Sequence, residues 1–136
     1  MGIQLEESLD LTIDFTKLGQ VAQIGGLIPA VAQDYCSKDV LIVGYVNKAA
    51  LDYALKHRVA TFWSTSRNEI WIKGQTSGDY LDLIEARVNC EQNTILYLVT
   101  LRGLGACHTK TAQGTPRLSC FYRTIKPDNQ HLEFTA

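Results

Sequence analysis

Short runs of β-branched and aromatic residues recur along most of the chain, and they constrain its fold more than any other feature. GGLIPAVAQD leads into VLIVGYV through the polar turn DYCSKD, which predicts two consecutive strands. From Val59 onward the pattern continues in VATFWS, EIWIKG, YLDLIEARV, TILYLVTL and SCFYRTI. Because polar turns separate these runs, the sequence predicts a β-rich domain.

One segment between these runs has the period of an α-helix. In NKAALDYALKHR, Asn47 suits the N-cap position, because its side-chain oxygen can accept from a backbone N–H of the first turn. Apolar residues recur at helical spacing, at Ala50, Leu51, Ala54 and Leu55. Basic residues fall in the last turn, where the helix macrodipole favours them, at Lys56, His57 and Arg58. We therefore expect an α+β domain with one main helix.

Length and charge narrow the classes of function. The 136 residues are most simply one domain, with a core over about residues 14–123, a polar leader and a polar, frayed tail after Arg123. A net charge of -1 gives no general attraction to nucleic acid or to a membrane surface. The start is acidic and polar, unlike a signal peptide, and no apolar run approaches the roughly 20 residues of a membrane helix. A cytoplasmic protein without nucleic-acid or membrane partners is expected.

The four cysteines leave a choice between core packing and metal binding. In a reducing compartment Cys36, Cys90, Cys107 and Cys120 are not expected to form disulfides, and a single free cysteine is most often a buried core residue. The spacings also lack the CxxC pairs of zinc ribbons. Three thiolates that met in space could nevertheless hold a zinc ion with one open position, as catalytic sites do.

The segment WSTSRNEIWIKGQTSG, residues 63–78, combines hydroxyl groups, glycines, one arginine and one lysine. Such a segment is typical either of a solvated hairpin or of a loop that binds phosphate, since phosphate oxygens need donors and a cation. Its hydroxyl-bearing residues and cations are Ser64, Thr65, Ser66, Arg67, Lys73, Thr76 and Ser77.

His108 directly follows Cys107 in the short stretch GACHT. Adjacent side chains on an extended strand point to opposite faces, so the two residues need not bind one ion together. They could flank one site from different sides. A lone histidine is more often exposed or simply hydrogen-bonded than catalytic, and both interpretations stay open from the residues alone.

Taken together, these segments resemble the phosphoribosyl-AMP cyclohydrolases of histidine biosynthesis. The resemblance runs from about Asp14 to Arg123. It rests on motifs that occur in the family's order, namely GLIPAVAQD, VLIVGYVNKAAL, FWSTSRNEIWIKGQTSG, the cysteine after the long strand, ACHT and SCFYR. It implies an intertwined homodimer whose zinc ion is shared across the interface, by Cys90 of one chain and Cys107 and Cys120 of the other.

The resemblance also implies a reaction, the hydrolytic opening of the adenine ring of N1-(5-phosphoribosyl)-AMP at the bond between N1 and C6. The predicted ligands of the phosphoribosyl groups are then Ser64, Ser66, Arg67, Lys73, Thr76, Ser77 and Gly78. His108 is our choice for proton transfer near the attacking water. Adenine deaminases attack the same carbon, but zinc deaminases carry an H-x-E motif followed by PCxxC, and this sequence contains no PCxxC motif.

The chain departs from the family pattern around Cys90. The family's magnesium-binding aspartates correspond to Asn89, Glu91 and Asn93, so one carboxylate remains and magnesium should be held more weakly. Thr65 and Asp79 replace a common arginine and a common histidine, and the segment between Cys107 and Cys120 is longer. Two alternatives therefore remain, a paralogue acting on another purine nucleotide and a non-catalytic, zinc-stapled dimer that binds nucleotide.

Overall fold

The computed structural model describes the backbone of residues 2–135 and the side chains of residues 5–135. Its helices are α1 (Gly2–Glu7), α2 (Lys17–Ile24) and α3 (Lys48–His57). Its strands are β1 (Ile28–Asp34), β2 (Val40–Val46), β3 (Thr61–Ser64), β4 (Glu69–Ile72), β5 (Leu81–Val88), β6 (Ile95–Leu101), β7 (Arg123–Ile125) and β8 (Leu132–Phe134). The predicted α+β, sheet-rich class is confirmed.

The main sheet has four strands in the order β2-β1-β6-β5. Strand β1 pairs antiparallel with β2 and parallel with β6, while β5 pairs antiparallel with β6. The inner strands β1 and β6 carry fully buried residues such as Ala30 and Tyr97. Phe62 of β3 packs edge-on against the ring of Tyr97, which fixes the β3–β4 hairpin to the sheet.

The predicted helix α3 begins and ends as expected. The side-chain oxygen of Asn47 accepts a hydrogen bond of 2.9 Å from the backbone N–H of Ala50. Ala50 and Ala54 are fully buried against the sheet, and Arg58 ends the helix in a left-handed conformation with φ of 59°. The chain then enters β3 directly, so α3 determines where the candidate phosphate segment starts.

Two predictions about the C-terminal part were wrong. The segment SCFYRTI is a strand only at Arg123–Ile125. The Ser119 hydroxyl donates to Val40 O and the Cys120 N–H donates to Leu41 O, but these two bonds at the edge of β2 do not continue as regular strand pairing. The tail is an ordered β7–β8 hairpin, whose turn is held by the Asp128 carboxylate.

The segment before β1 is also more structured than the sequence indicated, since it contains α1 and α2. Residues 5–11, which we call the N-terminal arm, lie against the β7–β8 hairpin. The backbone N–H of Leu132 donates to Leu9 O at 2.7 Å, and the N–H of Leu11 donates to Gln130 O at 3.0 Å. The guanidinium of Arg123 bonds the carbonyls of Leu5 and Ser8. No helix within residues 2–135 is both long and apolar enough to span a membrane.

Candidate active site

A cavity of about 690 Å³ opens between the β3–β4 hairpin and the irregular segment that follows β6. One wall is formed by β4 and residues 73–79, and the other by residues 106–110 with Pro116 and Cys120. Its polar lining includes Arg67, Lys73, Thr76, Ser77, Asp79, Cys107, His108, Lys110 and Cys120. Two of the predicted zinc ligands and four of the predicted phosphate ligands therefore meet in one cavity.

Cys107 and Cys120 are brought together by backbone pairing of the segments that carry them. The N–H of Cys107 bonds to Arg117 O at 3.0 Å, and the N–H of Cys120 bonds to Leu41 O at 2.8 Å. Gly105 allows this approach, because a Cβ there would lie 2.5 Å from the carbonyl oxygens of Pro116 and Arg117. Cys107 is buried, whereas Cys120 is exposed.

The thiols of Cys107 and Cys120 perturb each other's pKa in opposite directions. The hydrogen bond from the Cys120 thiol lowers the pKa of Cys107 to about 5, and the hydroxyl of Thr109, 3.0 Å from the Cys107 sulfur, acts in the same direction. The same bond raises the pKa of Cys120 above its ordinary value. A neighbouring thiolate and thiol can supply two of the ligands of a metal site, since a divalent cation can replace the remaining thiol proton.

Lys73 occupies a different position from the one its sequence context suggests. Its side chain is 5% exposed, and its ammonium nitrogen donates to the carbonyl oxygen of Asp79 at 2.9 Å. Burial lowers the pKa of Lys73, while the charges of Asp79, Cys120 and Cys107 favour its protonated form. Lys73 therefore supports the cysteine pair from within the protein and presents little surface to a phosphate group.

The predicted phosphate ligands divide between two cavities. Arg67, Thr76 and Ser77 line the large cavity with Lys73, and Gly78 lies between Ser77 and Asp79 without lining it. Ser64 and Ser66 line a separate cavity of about 220 Å³, where Lys17 of α2 donates to the Thr65 hydroxyl. The structure thus brings together only part of the predicted set. Lys110 also lines the large cavity, although no sequence pattern predicted it.

His108 lies at the rim of the large cavity with an exposed side chain. Its Nε2 is 2.8 Å from a carboxylate oxygen of Glu6 in the N-terminal arm. No sequence pattern predicts this contact, because 102 positions separate the two residues. His108 is therefore beside the cysteine pair, as predicted, but with a partner from the leader.

Cys90 does not join the other two cysteines within one chain. It lies in the β5–β6 turn, before β6 begins, whereas Cys107 follows the other end of this seven-residue strand. A strand of that length spans about 20 Å, far beyond the reach of ligands to one zinc ion. Within residues 2–135, no group of three His, Cys, Asp or Glu side chains could hold a metal ion in one chain.

The turn around Cys90 does not fit magnesium. The Asn89 side-chain oxygen accepts from the backbone N–H groups of Asn93 and Thr94 at 2.8 and 2.9 Å, and Asn89 Nδ2 donates to Asn93 Oδ1 at 2.6 Å. These amide oxygens close the turn, and Glu91 is the only carboxylate among the three candidate ligands. Magnesium requires several oxygen ligands at short distance, so the residues present do not match its needs.

Known proteins are similar in sequence to this chain over the residues that line the large cavity. The sequence model of the family described as phosphoribosyl-AMP cyclohydrolase matches residues 42–122, which include Cys90, Cys107, His108 and Cys120. A phosphoribosyl-AMP cyclohydrolase of Chloroherpeton thalassium is 43% identical over 107 residues, which are 79% of this chain and 71% of the relative. That of Archaeoglobus fulgidus is 42% identical over 103 residues, 76% of this chain and 89% of the relative. That of Hyphomonas neptunium is 45% identical over 101 residues, 74% of this chain and 72% of the relative.

Proposed function

Because the chain belongs to the phosphoribosyl-AMP cyclohydrolase family, hydrolases of histidine biosynthesis that act on a cyclic amidine, we propose that it uses zinc to open the adenine ring of N1-(5-phosphoribosyl)-AMP. In this reaction the oxygen of water bonds to C6, the bond between C6 and N1 breaks, and N1 takes up a proton. The observation that carries the proposal is the meeting of the Cys107–Cys120 pair, His108 and Arg67 in one cavity.

Zinc would be held by Cys107 and Cys120, with Cys90 of a second copy of the chain as the third ligand. The low pKa of the Cys107 thiol suits it to this role, because only the thiolate binds metal. The distance along β6 makes a third cysteine from the same chain unsuitable, which supports a homodimer with the site at its interface. When bound, zinc supplies a water molecule that ionises near neutral pH.

The residues of the chain itself would bind the nucleotide and move protons. Arg67, Thr76 and Ser77 offer a cation and hydroxyl groups to the phosphates, and Lys110 adds a second cation on the opposite wall. His108, next to Cys107 at the rim, can carry a proton from the attacking water toward N1. Lys73 would keep the thiolate form of the cysteines favoured from inside the protein.

The direct test is turnover of phosphoribosyl-AMP by the purified, zinc-loaded protein, followed by the ultraviolet change on ring opening. We expect turnover that disappears on chelation and returns when zinc is added. Cys107→Ala should abolish both zinc binding and turnover, whereas Cys36→Ala should retain both, since Cys36 lies in the exposed turn before β2. Zinc-bound protein without turnover would contradict the proposal.

A second candidate is hydrolysis of another purine nucleotide. It is favoured by the altered turn at Asn89 and Asn93 and by Lys110, which the segment between the two site cysteines contributes to the cavity. The same ultraviolet assay with other purine nucleotides distinguishes this activity. A protein that binds zinc and nucleotide but hydrolyses none of them would instead be a non-catalytic binding module.

A further inference from the structure

The N-terminal arm is bound to the rim of the candidate active site by a connected set of contacts. The Glu7 carboxylate accepts two hydrogen bonds from the guanidinium of Arg117, at 2.8 and 3.1 Å. The Arg117 side chain is 13% exposed and lies over the rings of Tyr122 and Phe134. A guanidinium enclosed in this way loses less to solvent screening than a surface ion pair, so it anchors the arm.

Glu6 is fixed at both its backbone and its side chain. The hydroxyl of Tyr122 donates to the Glu6 carbonyl oxygen at 2.8 Å, and the Glu6 carboxylate lies 2.8 Å from Nε2 of His108. The backbone contact determines where the carboxylate can reach, and the carboxylate then determines how the imidazole is turned. The His108 side chain is 76% exposed, so without this partner its ring would be free to rotate in solvent.

We propose that Glu6 is a positioning residue for the reaction, which acts by holding the ring of His108 at the rim of the cavity. The proposal rests on the function proposed above. A carboxylate that accepts from Nε2–H selects the neutral tautomer with Nδ1 unprotonated, and Nδ1 then becomes the acceptor available to a reacting water. Proton transfer is sensitive to such orientation, because a displacement of about 1 Å can cost roughly 100-fold in rate.

The test compares Glu6→Ala and Glu6→Gln with Asp10→Asn in the zinc-loaded, full-length protein. Asp10 lies in the same arm, so Asp10→Asn removes the same charge as Glu6→Gln without altering the contact with His108. We expect Glu6→Ala to lower kcat by about 10-fold or more with little change in KM, because orientation and not nucleotide binding is lost. Glu6→Gln should retain more activity, since its amide oxygen can still accept from Nε2–H. Asp10→Asn should match the unaltered protein.

A second measurement reports the contact independently of turnover. The 15N chemical shifts of the His108 ring, assigned by their loss in His108→Ala, should show Nε2 protonated in the unaltered protein and a mixture of tautomers in Glu6→Ala. If the unaltered protein lacks turnover, the proposed function fails while these spectra still test the contact. Normal kcat in Glu6→Ala, or parallel losses in all three variants, would overturn the positioning role.

Discussion

The ammonium nitrogen of Lys73 donates a hydrogen bond to the backbone carbonyl oxygen of Asp79 at 2.9 Å. This bond closes the segment that joins β4 to β5 and turns a buried cation toward Cys107 and Cys120. Gly74 allows the closure, because its φ of 90° and its contact with the Tyr80 backbone exclude a side chain. One wall of the site therefore depends on an internal lysine.

We expect Lys73→Met to lower the free energy of unfolding by about 1 kcal/mol, because the partly buried carbonyl oxygen of Asp79 loses its donor. Urea denaturation followed by fluorescence measures the change. Lys110→Met is the matched control, since Lys110 lines the same cavity but is exposed, and its stability should be unaltered. Equal stability of the two variants would show that the bond to Asp79 contributes nothing.

Arg67→Ala should raise KM by about 10-fold while leaving stability unchanged, because an exposed guanidinium at the cavity contributes to nucleotide binding and little to folding. Its ion pair with Glu69 is long, at 3.5 Å, and both side chains are mostly exposed. Steady-state kinetics with phosphoribosyl-AMP measure the effect. Arg87→Ala is the control, since Arg87 pairs with Glu85 on β5 and does not line the cavity. A similar KM in both variants would remove Arg67 from the nucleotide site.

Local signals predicted the parts of the fold in which neighbours along the chain determine structure. Helix α3 followed from its period and from Asn47, and the strands of the main sheet followed from apolar runs. The β7–β8 hairpin escaped this reasoning because its strands have three residues each, and its turn depends on the Asp128 carboxylate.

The candidate site was predicted in part for the same reason. The motifs supplied Cys107, His108 and Cys120, but the contact between Glu6 and His108 joins residues 102 positions apart and leaves no pattern in the sequence. The burial of Lys73 depends on the turn at Gly74, whereas composition alone suggested a lysine exposed to phosphate. Residue type thus indicated candidate side chains, but it did not predict which of them face the cavity.

The protein is expected to bind magnesium poorly, and Asn89→Asp combined with Asn93→Asp should introduce binding. In the unaltered turn the amide oxygens of Asn89 and Asn93 accept hydrogen bonds and supply no charge, whereas the double variant would present three carboxylates with Glu91. Isothermal titration calorimetry with magnesium alone measures this directly. The control is Asn129→Asp, which adds a carboxylate in the β7–β8 turn. Strong magnesium binding by the unaltered protein would contradict the prediction.

The β7–β8 turn should lose stability in acid. Backbone N–H of Gln130, the side chain of His131 and its backbone N–H all bond to the Asp128 carboxylate, and they lower its pKa to about 2. A carboxyl with a lowered folded pKa stabilises the protein above its ordinary pKa near 4, and that stabilisation is lost as the pH falls toward 2. Asp128→Asn should therefore make the melting temperature depend less on pH between pH 4 and pH 2. Thermal unfolding measures this, with Glu133→Gln as the control variant. A profile that kept its slope would exclude Asp128 as the cause.

Mixing two inactive variants provides the sharpest test of a site shared between chains. Cys90→Ala and Cys107→Ala should each lose zinc and turnover when expressed alone. In a heterodimer of the two, Cys90 of one chain meets intact Cys107 and Cys120 of the other, so one of the two sites is complete. Random pairing of a two-fold symmetric dimer then restores about a quarter of the sites. Co-expression with different affinity tags isolates the heterodimer for zinc analysis.

The pair Cys107→Ala with Cys120→Ala is the control, because every combination lacks one of these ligands and no recovery is expected. Recovery in neither mixture would mean that the zinc ligands do not come from two chains.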